Sequence, residues 1–351
     1  MGIEKVPIEK FVELTARYPV LDVRSEAEYE HAHIPEALNL PLFNNEERKV
    51  VGTIYKQQSR EEAIKKGLEY FGPKMKDMIV FVENIIKVKN ADNKTILVHC
   101  WRGGMRSAGV AWLLNLYGYK VYTLVGGYKA FRNWTIIQSK DNRSIQILGG
   151  FTGSGKTIVL EALKSMGEPT IDLEQLAGHK GSAFGNIGLP KQPSQEMFEN
   201  KLAVELYQTK RTFGVKPIWI EDESQRIGTV NVPQDFWLLM RKSAIAFIDI
   251  PFDERLKYLV HTYGQLNKVE LREAIIRIQK RLGGLETKNA VEEIDNNNIA
   301  GCFSILLKYY DKHYQKGLDK RAEPKPTIKI IKLQTVNDLS NAEEIKKQKY
   351  G

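Results

Sequence analysis

The sequence predicts two consecutive α/β domains, each built on a parallel sheet that carries an anion-binding loop. The first loop starts at Cys100, directly after the apolar run at residues 96–98. The second loop spans residues 150–157 and follows the apolar run at residues 145–148. Both read as strand, glycine-containing loop and helix, and open α/β sheets bind ligands at the carboxyl ends of their strands. The length of 351 residues also exceeds what one hydrophobic core usually serves.

The composition is that of an ordinary globular protein, with 42% apolar and 27% charged residues. No apolar run approaches the length of about 18 residues that a membrane helix needs, and the N-terminus does not resemble an export signal. We therefore expect a cytoplasmic protein without a membrane partner. The only cysteines are Cys100 and Cys302, which fits a reducing compartment. A net charge of +9 favours a polyanionic partner such as nucleic acid.

The first domain is predicted to cover residues 1–137. Its pattern alternates helices and strands, which indicates an open sheet with the thiol at the end of one strand. The predicted helices cover residues 8–17, 61–70, 75–89 and 108–116, and strands at 20–23 and 121–125 flank the one before Cys100. Residues 138–144 are polar, lack periodicity and are predicted to be the linker.

The second domain is predicted to cover residues 145–351. Its strands are expected at residues 145–148, 170–172, 218–220 and 244–250, followed by helices at 269–281 and 302–310. Residues 176–195 are too polar for a core, and a loop of this length is usually functional. From Lys316 onward the chain is rich in lysine, and we expect this basic tail to be only partly ordered.

Cys100 has the surroundings of a reactive thiolate. Backbone N–H groups of the loop and the positive end of the following helix point at the sulfur, and two arginines add charge, so the pKa should fall below about 8.5. The candidate active-site residues are Cys100, Trp101, Arg102, Gly103, Gly104 and Arg106. The loop also spells Cys-x5-Arg-Ser, the layout of cysteine-dependent phosphatases, so sulfur or selenium carriage and phosphate-ester cleavage both remain open. Cys302 lies on an apolar helical face and is expected in the core.

The second loop matches the phosphate-cradling pattern G-x-x-x-x-G-K-[ST] in its strand–loop–helix context. The expected phosphate-binding residues are Gly150, Gly153, Ser154, Gly155, Lys156 and Thr157. Thr157 could face a Mg²⁺ ion. Three acidic residues, Glu221, Asp222 and Glu223, follow the third strand, where such folds keep a second metal-holding or water-holding carboxylate. We choose Asp222 among the three.

Several strings of the first domain resemble the rhodanese family. They are Asp-Val-Arg-Ser-Glu-Ala-Glu-Tyr at 22–29, His-Ile-Pro-Glu-Ala-Leu-Asn-Leu-Pro at 33–41, and Leu-Val-Gly-Gly-Tyr-Lys-Ala-Phe at 124–131. The resemblance implies a rhodanese-like open α/β sheet whose cysteine carries sulfur or selenium. It also implies that Asp22, Arg24 and His33 mostly tie loops to the sheet. The second domain resembles a P-loop NTPase-like parallel α/β domain with C-terminal helices.

Longer strings resemble the tRNA 2-selenouridine synthase family. They are Val-Gly-Thr-Ile-Tyr-Lys-Gln at 51–57, Ala-Gly-His-Lys-Gly-Ser-Ala-Phe-Gly at 177–185 and Glu-Asp-Glu-Ser-Gln-Arg-Ile-Gly at 221–228. The resemblance reaches to about residue 260. It implies a transferase that converts 2-thiouridine at the tRNA wobble position into 2-selenouridine through S-geranyl-2-thiouridine, that is, a selenotransferase with tRNA geranyltransferase activity.

The same resemblance implies geranyl diphosphate and selenophosphate as substrates, no tightly bound cofactor, and Mg²⁺ as an optional ion. Its implied partners are the anticodon stem-loop of a 2-thiouridine tRNA and an enzyme that produces selenophosphate. His179, Lys180 and Arg226 become candidates for diphosphate or tRNA phosphate contacts, and Trp101 either stacks on the uridine or packs on the sheet. Two alternatives remain: a phosphatase or kinase fusion, and a carrier module that passes sulfur or selenium to a partner.

Overall fold

The computed structural model describes residues 2–88, 94–140, 143–181, 185, 187–321 and 326–348. The chain forms two compact units, Met1–Gln138 with Glu199–Val204, and Ser139–Phe198 with Glu205–Gly351. No helix in the described parts of the chain is both long and apolar enough to cross a membrane.

The sheet of the first unit has five parallel strands in the order β1-β5-β4-β2-β3. The strands are β1 (Gly2–Val6), β2 (Val20–Asp22), β3 (Leu38–Asn39), β4 (Thr95–His99) and β5 (Lys120–Leu124). Asp22 at the end of β2 pairs with His99 at the end of β4. Because the strands are parallel, their carboxyl ends meet at one edge, and Cys100 begins the loop there.

Helices pack against this sheet, and the central strand β4 is buried at all of its positions. The helices are α1 (Ile8–Thr15), α2 (Glu26–His31), α3 (Asn45–Gln57), α4 (Arg60–Phe71), α5 (Met75–Val88), α6 (Met105–Leu116) and α7 (Gly127–Lys140), with a 3-10 turn at Gly72–Lys74. Ile96 and Val98 are fully buried and pack in one core with Val110 and Leu114 of α6.

The sheet of the second unit also has five parallel strands, in the order β12-β11-β6-β8-β7. Its strands are β6 (Ile145–Gly150), β7 (Thr170–Ile171), β8 (Ile218–Glu221), β11 (Ile245–Asp249) and β12 (Ile328–Lys332), and β9 (Arg226–Ile227) and β10 (Val230–Asn231) form a separate antiparallel pair. Leu148 of β6 pairs with Glu221 of β8, and Gly150 pairs with Ile248 of β11. The fold class predicted from the sequence is confirmed for both units.

The remaining helices belong to the second unit, except that residues Glu199–Val204 are part of the first unit. They are α8 (Lys156–Ser165), α9 (Leu173–Ala177), α10 (Gln195–Phe213), α11 (Gln234–Lys242), α12 (Phe252–Tyr263), α13 (Lys268–Arg277), α14 (Gln279–Leu282), α15 (Gly284–Asp295), α16 (Ile299–Asp319) and α17 (Leu339–Lys347). Cys302 of α16 packs in a buried cluster with Phe303 and Leu271, as expected for a core cysteine. Burial raises the pKa of the Cys302 thiol to about 12.

Two local expectations were wrong. Residues 138–140 of the predicted linker form the end of α7, while residues 141 and 142 lie outside the described residues. The predicted helix at 269–281 is interrupted at Ile278, between α13 and α14.

The basic tail, which we expected to be partly ordered, contributes the edge strand β12 and the helix α17. Ile331 and Ile345 in these elements are buried, while Lys332 and Lys346 beside them are exposed. Residues 322–325 and 349–351 of the tail lie outside the described residues.

Candidate active site

Cys100 lies at the carboxyl edge of the first sheet, immediately after β4, and only 3% of its surface is exposed. Its Sγ lies 3.2 Å from the Oγ of Ser107, which belongs to the first turn of α6. The Ser107 hydroxyl also lies 3.1 Å from the carbonyl oxygen of Gly104. The sulfur therefore faces the N-terminal turn of a helix, where unpaired backbone N–H groups favour an anion.

These surroundings lower the pKa of the Cys100 thiol below its ordinary value. Burial acts in the opposite direction and is the largest single influence, because it disfavours the thiolate. The hydroxyl and backbone N–H of Ser107, the positive charge of Arg106 and the backbone N–H of Arg102 together outweigh burial. The direction agrees with the expectation from the sequence, and it makes the sulfur a nucleophile or an anionic carrier.

The two arginines of the loop have different surroundings. Arg106 donates from Nη1 to Oε2 of Glu28 at 2.9 Å, so part of its charge is compensated. Glu28 belongs to the capping box of α2, together with Ser25. Arg102 is exposed on the loop surface. Sequence reasoning missed Glu28 as a partner because it lies 78 positions from Arg106.

Glycine at position 127 allows the Cys100 loop to lie against the turn that follows β5. A Cβ atom at Gly127 would collide with the carbonyl oxygen of Cys100 and the backbone nitrogen of Gly103. The φ angle of Gly127 is 59°, which also disfavours other residues. The backbone N–H of Tyr128 donates to the Cys100 carbonyl at 2.8 Å. The glycines in the string at 124–131 thus shape the loop that holds the sulfur.

Asp22, Arg24 and His33 tie the loops of the first unit together, as the rhodanese resemblance implies. Arg24 is 1% exposed, donates to Asp22 at 2.6 Å and lies over the ring of Tyr128 at 3.8 Å. His33 stacks on the Tyr29 ring at a centroid distance of 3.9 Å. None of these three side chains contacts the Cys100 sulfur through a described hydrogen bond.

Trp101 packs against the protein and is also partly exposed, and its stacking on the uridine stays a prediction. Its ring lies at a tilt against Tyr128, with centroids 5.7 Å apart, yet 38% of the residue is exposed. One face therefore packs on the protein, and the exposed part is available to a planar ligand beside the thiol.

In the second unit, the loop between β6 and α8 has the geometry of a phosphate cradle. Gly155 caps α8 in the left-handed conformation, with φ 73°, so a residue with a side chain would be strained there. Lys156 Nζ donates to the carbonyl oxygen of Gly150 at 3.1 Å. Ser154 is fully buried, and its Oγ has no hydrogen-bond partner among the described residues. Thr157 lies in the first turn of α8 and lines the cavity that opens beside this loop.

A buried arginine after β11 anchors this loop. Arg255 of α12 is 4% exposed and donates to the carbonyl oxygens of Ile250 at 3.1 Å and Thr152 at 3.0 Å. Its two terminal nitrogens also donate to Asp311 of α16, at 2.9 and 2.8 Å. The sequence does not reveal this anchor, because the partner Asp311 lies 56 positions from Arg255.

Three glutamates converge beside the cradle. Oxygen atoms of Glu174, Glu221 and Glu223 lie within 4.8 Å of one another. Burial raises the pKa of all three carboxyls. Neighbouring negative charges raise it further: Glu223 acts on both Glu174 and Glu221, and Asp222 acts on Glu223. Lys156 acts in the opposite direction. One oxygen of Glu221 is buried without a hydrogen-bond partner in the described chain.

Asp222, our choice from the sequence, lines the cavity beside the cradle and is held by two neighbouring side chains. Its carboxylate accepts from the hydroxyl of Tyr314 at 2.6 Å and from Arg321. The Tyr314 hydroxyl in turn accepts from the backbone N–H of Gly150 at 3.3 Å. Asp222 therefore supports the start of the cradle through Tyr314, and the neighbouring Glu221 and Glu223 face Lys156. The sequence missed Glu174 in this cluster because it comes from α9, after a different strand.

The cradle and the glutamates open into a cavity of about 770 Å³. His179, Lys180 and Arg226 line this cavity, so the structure brings these candidates together with Lys156. Residues 182–184 of the same family string lie outside the described residues. Other lining residues form two groups, the cations Arg277 and Arg281, and a largely apolar wall of Tyr258, Leu259, Tyr263, Phe303, Leu306 and Leu307. Both groups lie on amphipathic helices. The sequence did not reveal them as ligand-binding residues, because helices that bind no ligand show the same pattern of charged and apolar residues.

The fold and the two loops define a class of protein in which a rhodanese-like domain is joined to a P-loop domain. Residues 8–133 match the model of the rhodanese-like domain, and residues 143–339 match the model of the tRNA 2-selenouridine synthase AAA domain. The chain belongs to the tRNA 2-selenouridine synthase family.

Individual relatives agree over nearly the whole length. A tRNA 2-selenouridine synthase from Nitrosomonas eutropha is 32% identical and covers 88% of this chain and 90% of its own. The enzymes of that name from Bdellovibrio bacteriovorus and Shewanella pealeana are 33% and 34% identical, over 86% and 92% of this chain and 89% and 95% of theirs. A solved N-terminal domain from Clostridium difficile 630 is 44% identical over 38% of this chain and 99% of its own, with a TM-score of 0.34. Nothing about the fold follows from that score.

Proposed function

We propose that this protein is a tRNA-modifying transferase that replaces the sulfur of 2-thiouridine at the wobble position with selenium. The proposed route passes through S-geranyl-2-thiouridine and uses geranyl diphosphate and selenophosphate. The observation that supports it most strongly is that one chain holds both a stabilised thiolate and a phosphate cradle with an apolar wall. The names of the relatives and the net charge of +9 support tRNA as the substrate.

Alkylation explains why such an enzyme needs two chemistries. Sulfide is a poor leaving group from the electron-rich thiocarbonyl at C2 of 2-thiouridine. Once the sulfur carries an alkyl group, C2 is electrophilic and the sulfur leaves as a thiolate. Prenylation therefore prepares the base for exchange, and selenation completes it.

The cavity beside Lys156 has the two surfaces that a prenyl diphosphate requires. In our proposal the backbone of residues 153–156 and the Lys156 ammonium hold the diphosphate, and Lys180 and Arg226 add positive charge. The prenyl chain lies against the wall that includes Leu259, Phe303 and Leu307. The sulfur of the base attacks the prenyl carbon that is bonded to the diphosphate oxygen. This carbon–oxygen bond breaks, and the cations stabilise the departing diphosphate.

The acidic cluster fits a divalent cation in the same cavity. Three carboxylates with an unpartnered, buried Glu221 oxygen offer the hard oxygen ligands that Mg²⁺ prefers. Glu174, Glu221 and Glu223 would hold the ion, and the Thr157 hydroxyl, which bonds to Glu221, lies with them. When bound, Mg²⁺ supplies charge neutralisation for phosphate oxygens.

Cys100 is proposed to carry selenium as a perselenide anion, which the loop N–H groups and Ser107 stabilise as they do the thiolate. Selenophosphate holds selenium at the selenide level, so loading uses a low-molecular-weight disulfide as the two-electron oxidant. The Cys100 thiolate attacks this disulfide and one thiolate leaves, which forms a mixed disulfide. Hydrolysis of the P–Se bond gives phosphate and selenide, the selenide attacks the Cys100 sulfur, and the second thiolate leaves. The release steps regenerate one disulfide, so a trace of disulfide in the thiol sustains turnover.

The selenium attacks C2 of the S-prenylated base, the C2–S bond breaks, and the prenyl thiolate leaves. A low-molecular-weight thiol then attacks the Cys100 sulfur, which leaves both electrons of the S–Se bond on the selenium of the base. A second thiol reduces the resulting disulfide and restores the Cys100 thiolate.

The alternatives receive less support from the geometry. A cysteine-dependent phosphatase uses its loop arginine to bind the phosphoryl group, but here Arg106 is paired with Glu28. Such an enzyme also needs a nearby acid, and the buried Asp22 is bonded to Arg24. A carrier module would not need the prenyl-sized wall beside the cradle.

Nucleoside mass spectrometry of tRNA tests the proposal. Purified protein is incubated with 2-thiouridine tRNA, geranyl diphosphate, selenophosphate and a thiol, and each co-substrate is omitted in turn. We expect 2-selenouridine in the complete mixture and S-geranyl-2-thiouridine when selenophosphate is omitted. Absence of both products in every mixture contradicts the proposed function.

A further inference from the structure

A second cavity, of about 840 Å³, lies in the first unit beside the Cys100 loop. Its walls come from α3, α4 and α6. The apolar side chains that define it are Val51, Tyr55, Ile64, Leu68, Met105 and Trp112. The reaction steps described above do not use this cavity.

The apolar walls of this cavity are unusually open to solvent. Tyr55, Leu68, Met105 and Trp112 are each between 50% and 58% exposed. Soluble proteins rarely expose a contiguous apolar surface of this kind unless it binds something. The chain therefore bears the cost of exposing four large side chains on three helices that meet at one place.

The cavity is continuous with the surroundings of the catalytic sulfur. Arg102 of the Cys100 loop and Met105, the first residue of α6, line it directly. Phe43 and Phe71 line it as well, and both pack in the same core cluster as the Cys100 side chain. A ligand in this cavity would extend from the immediate vicinity of the loop that presents the thiolate.

The charges around the cavity are positive. The cations that line it are Arg48, Lys49, Lys56, Arg102 and Arg106. Glu28 pairs with Arg48 at 3.5 Å and with Arg106 at 2.9 Å, so a net positive border remains around the apolar floor. This combination fits an apolar chain that is attached to a polyanion, and it does not fit a free hydrocarbon, which needs no cations. Among the molecules of the proposed reaction, S-prenylated tRNA has this chemistry.

We propose that this cavity receives the prenyl chain of S-prenylated tRNA while the base is presented to Cys100. The inference rests on the proposed function and adds a second prenyl site, distinct from the wall beside Lys156. The wall beside Lys156 serves the diphosphate donor, and the cavity beside Cys100 serves the thioether. Holding the chain there would position C2 for attack and would keep the departing prenyl thiol out of water.

Binding of modified stem-loops to the full chain tests this inference without requiring turnover. Anticodon stem-loops that carry S-geranyl-2-thiouridine or S-methyl-2-thiouridine are compared by fluorescence anisotropy. Each buried methylene changes an equilibrium constant about fourfold, so partial burial of the chain should give the S-geranyl stem-loop an affinity at least ~30-fold higher. Leu68→Glu places a charge on the exposed wall and should reduce this preference to less than ~3-fold.

Leu116→Glu is the matched control, since Leu116 lies in the same unit, is 71% exposed and is not part of the cavity. It should keep the full preference. Equal affinity of the two stem-loops for the unmodified protein, or a preference that Leu68→Glu retains, overturns the inference. Circular dichroism of both variants excludes unfolding as the cause of a loss.

Selenation rates separate this inference from the proposed function. If the S-geranyl stem-loop binds tightly through Leu68 but selenophosphate never yields 2-selenouridine, the cavity assignment stands and the proposed reaction fails. If 2-selenouridine forms at equal kcat/KM from the S-geranyl and S-methyl stem-loops, the reaction stands and the cavity assignment fails.

Discussion

The two loops share a strand–loop–helix design but differ in which anion they suit. The Cys100 loop stabilises an anionic side chain of the protein, and the Lys156 loop suits an anion that is bound from outside. At Cys100 the anion is a side chain of the protein, and Ser107, Arg106 and backbone N–H groups lower its pKa in spite of burial. At Lys156 the chain gathers the buried Glu221 and the half-buried Glu223, whose pKa values are raised, next to glycines and a lysine that suit phosphate. The first loop stabilises a charge that it carries, and the second surrounds a cavity with charges of both signs.

This difference indicates a division of labour. A soft covalent carrier is useful for moving selenium, and a cradle with an apolar wall is useful for holding a prenyl diphosphate. Each loop has its own support from distant residues, Glu28 for the first and Arg255 with Asp311 for the second. Substitutions in one loop should therefore affect one step of the reaction.

The largest effect is expected for Lys156→Ala. Removing the charge opposite the departing diphosphate should lower the rate of S-geranyl-2-thiouridine formation about 10²- to 10³-fold. Single-turnover assays with geranyl diphosphate and nucleoside mass spectrometry measure this rate. Lys164→Ala, on the same helix but outside the cavity, is the control and should change the rate less than ~2-fold. A wild-type rate in Lys156→Ala would mean that the cradle binds a different ligand.

A second effect is expected for Arg255→Met, which leaves the partly buried Asp311 without its partner. We expect a loss of about 3 kcal/mol in the free energy of unfolding of the second unit. Urea denaturation measures it, with hydrogen exchange to assign the transition to this unit. The control Arg272→Met removes an exposed pair with Asp295 and should cost less than about 0.5 kcal/mol. Equal losses in the two variants would show that Arg255 does not anchor the loop.

The smallest effect is expected for Ser107→Ala, which removes the hydroxyl that lies 3.2 Å from the Cys100 sulfur. The pKa of the thiol should rise, so thiolate absorbance at 240 nm should appear at higher pH than in the unmodified protein. Cys100→Ser supplies the background, and Cys302, whose pKa is about 12, does not interfere near neutral pH. Ser165→Ala is the control. An unchanged titration in Ser107→Ala would leave the backbone N–H groups and Arg106 as the stabilising groups.

The sequence predicted what local patterns determine. The apolar runs before Cys100 and Gly150 are strands, and the glycines after them shape both loops. Partners that the fold brings from distant positions were not predictable, such as Glu28 with Arg106 or Asp311 with Arg255. Likewise, the apolar cavity that α3 and α4 form with α6 could not be recognised from the sequence, because these helices also carry many charged residues. The choice of Asp222 stays a prediction, because the sequence makes Glu221, Asp222 and Glu223 look equivalent and only the structure shows the partners of each carboxylate.

The central claim is that the two loops serve successive steps of the reaction. Two consecutive incubations, each with a different variant, test this claim most directly. Cys100→Ser is first incubated with 2-thiouridine tRNA, geranyl diphosphate and selenophosphate, and the tRNA is then purified. We predict that this tRNA carries S-geranyl-2-thiouridine and no 2-selenouridine. It is next given to Lys156→Ala with selenophosphate and a thiol, and we predict conversion to 2-selenouridine at a rate close to that of the unmodified protein. If Cys100→Ser forms 2-selenouridine, or if Lys156→Ala fails to convert the geranylated tRNA, the division of labour between the loops is contradicted.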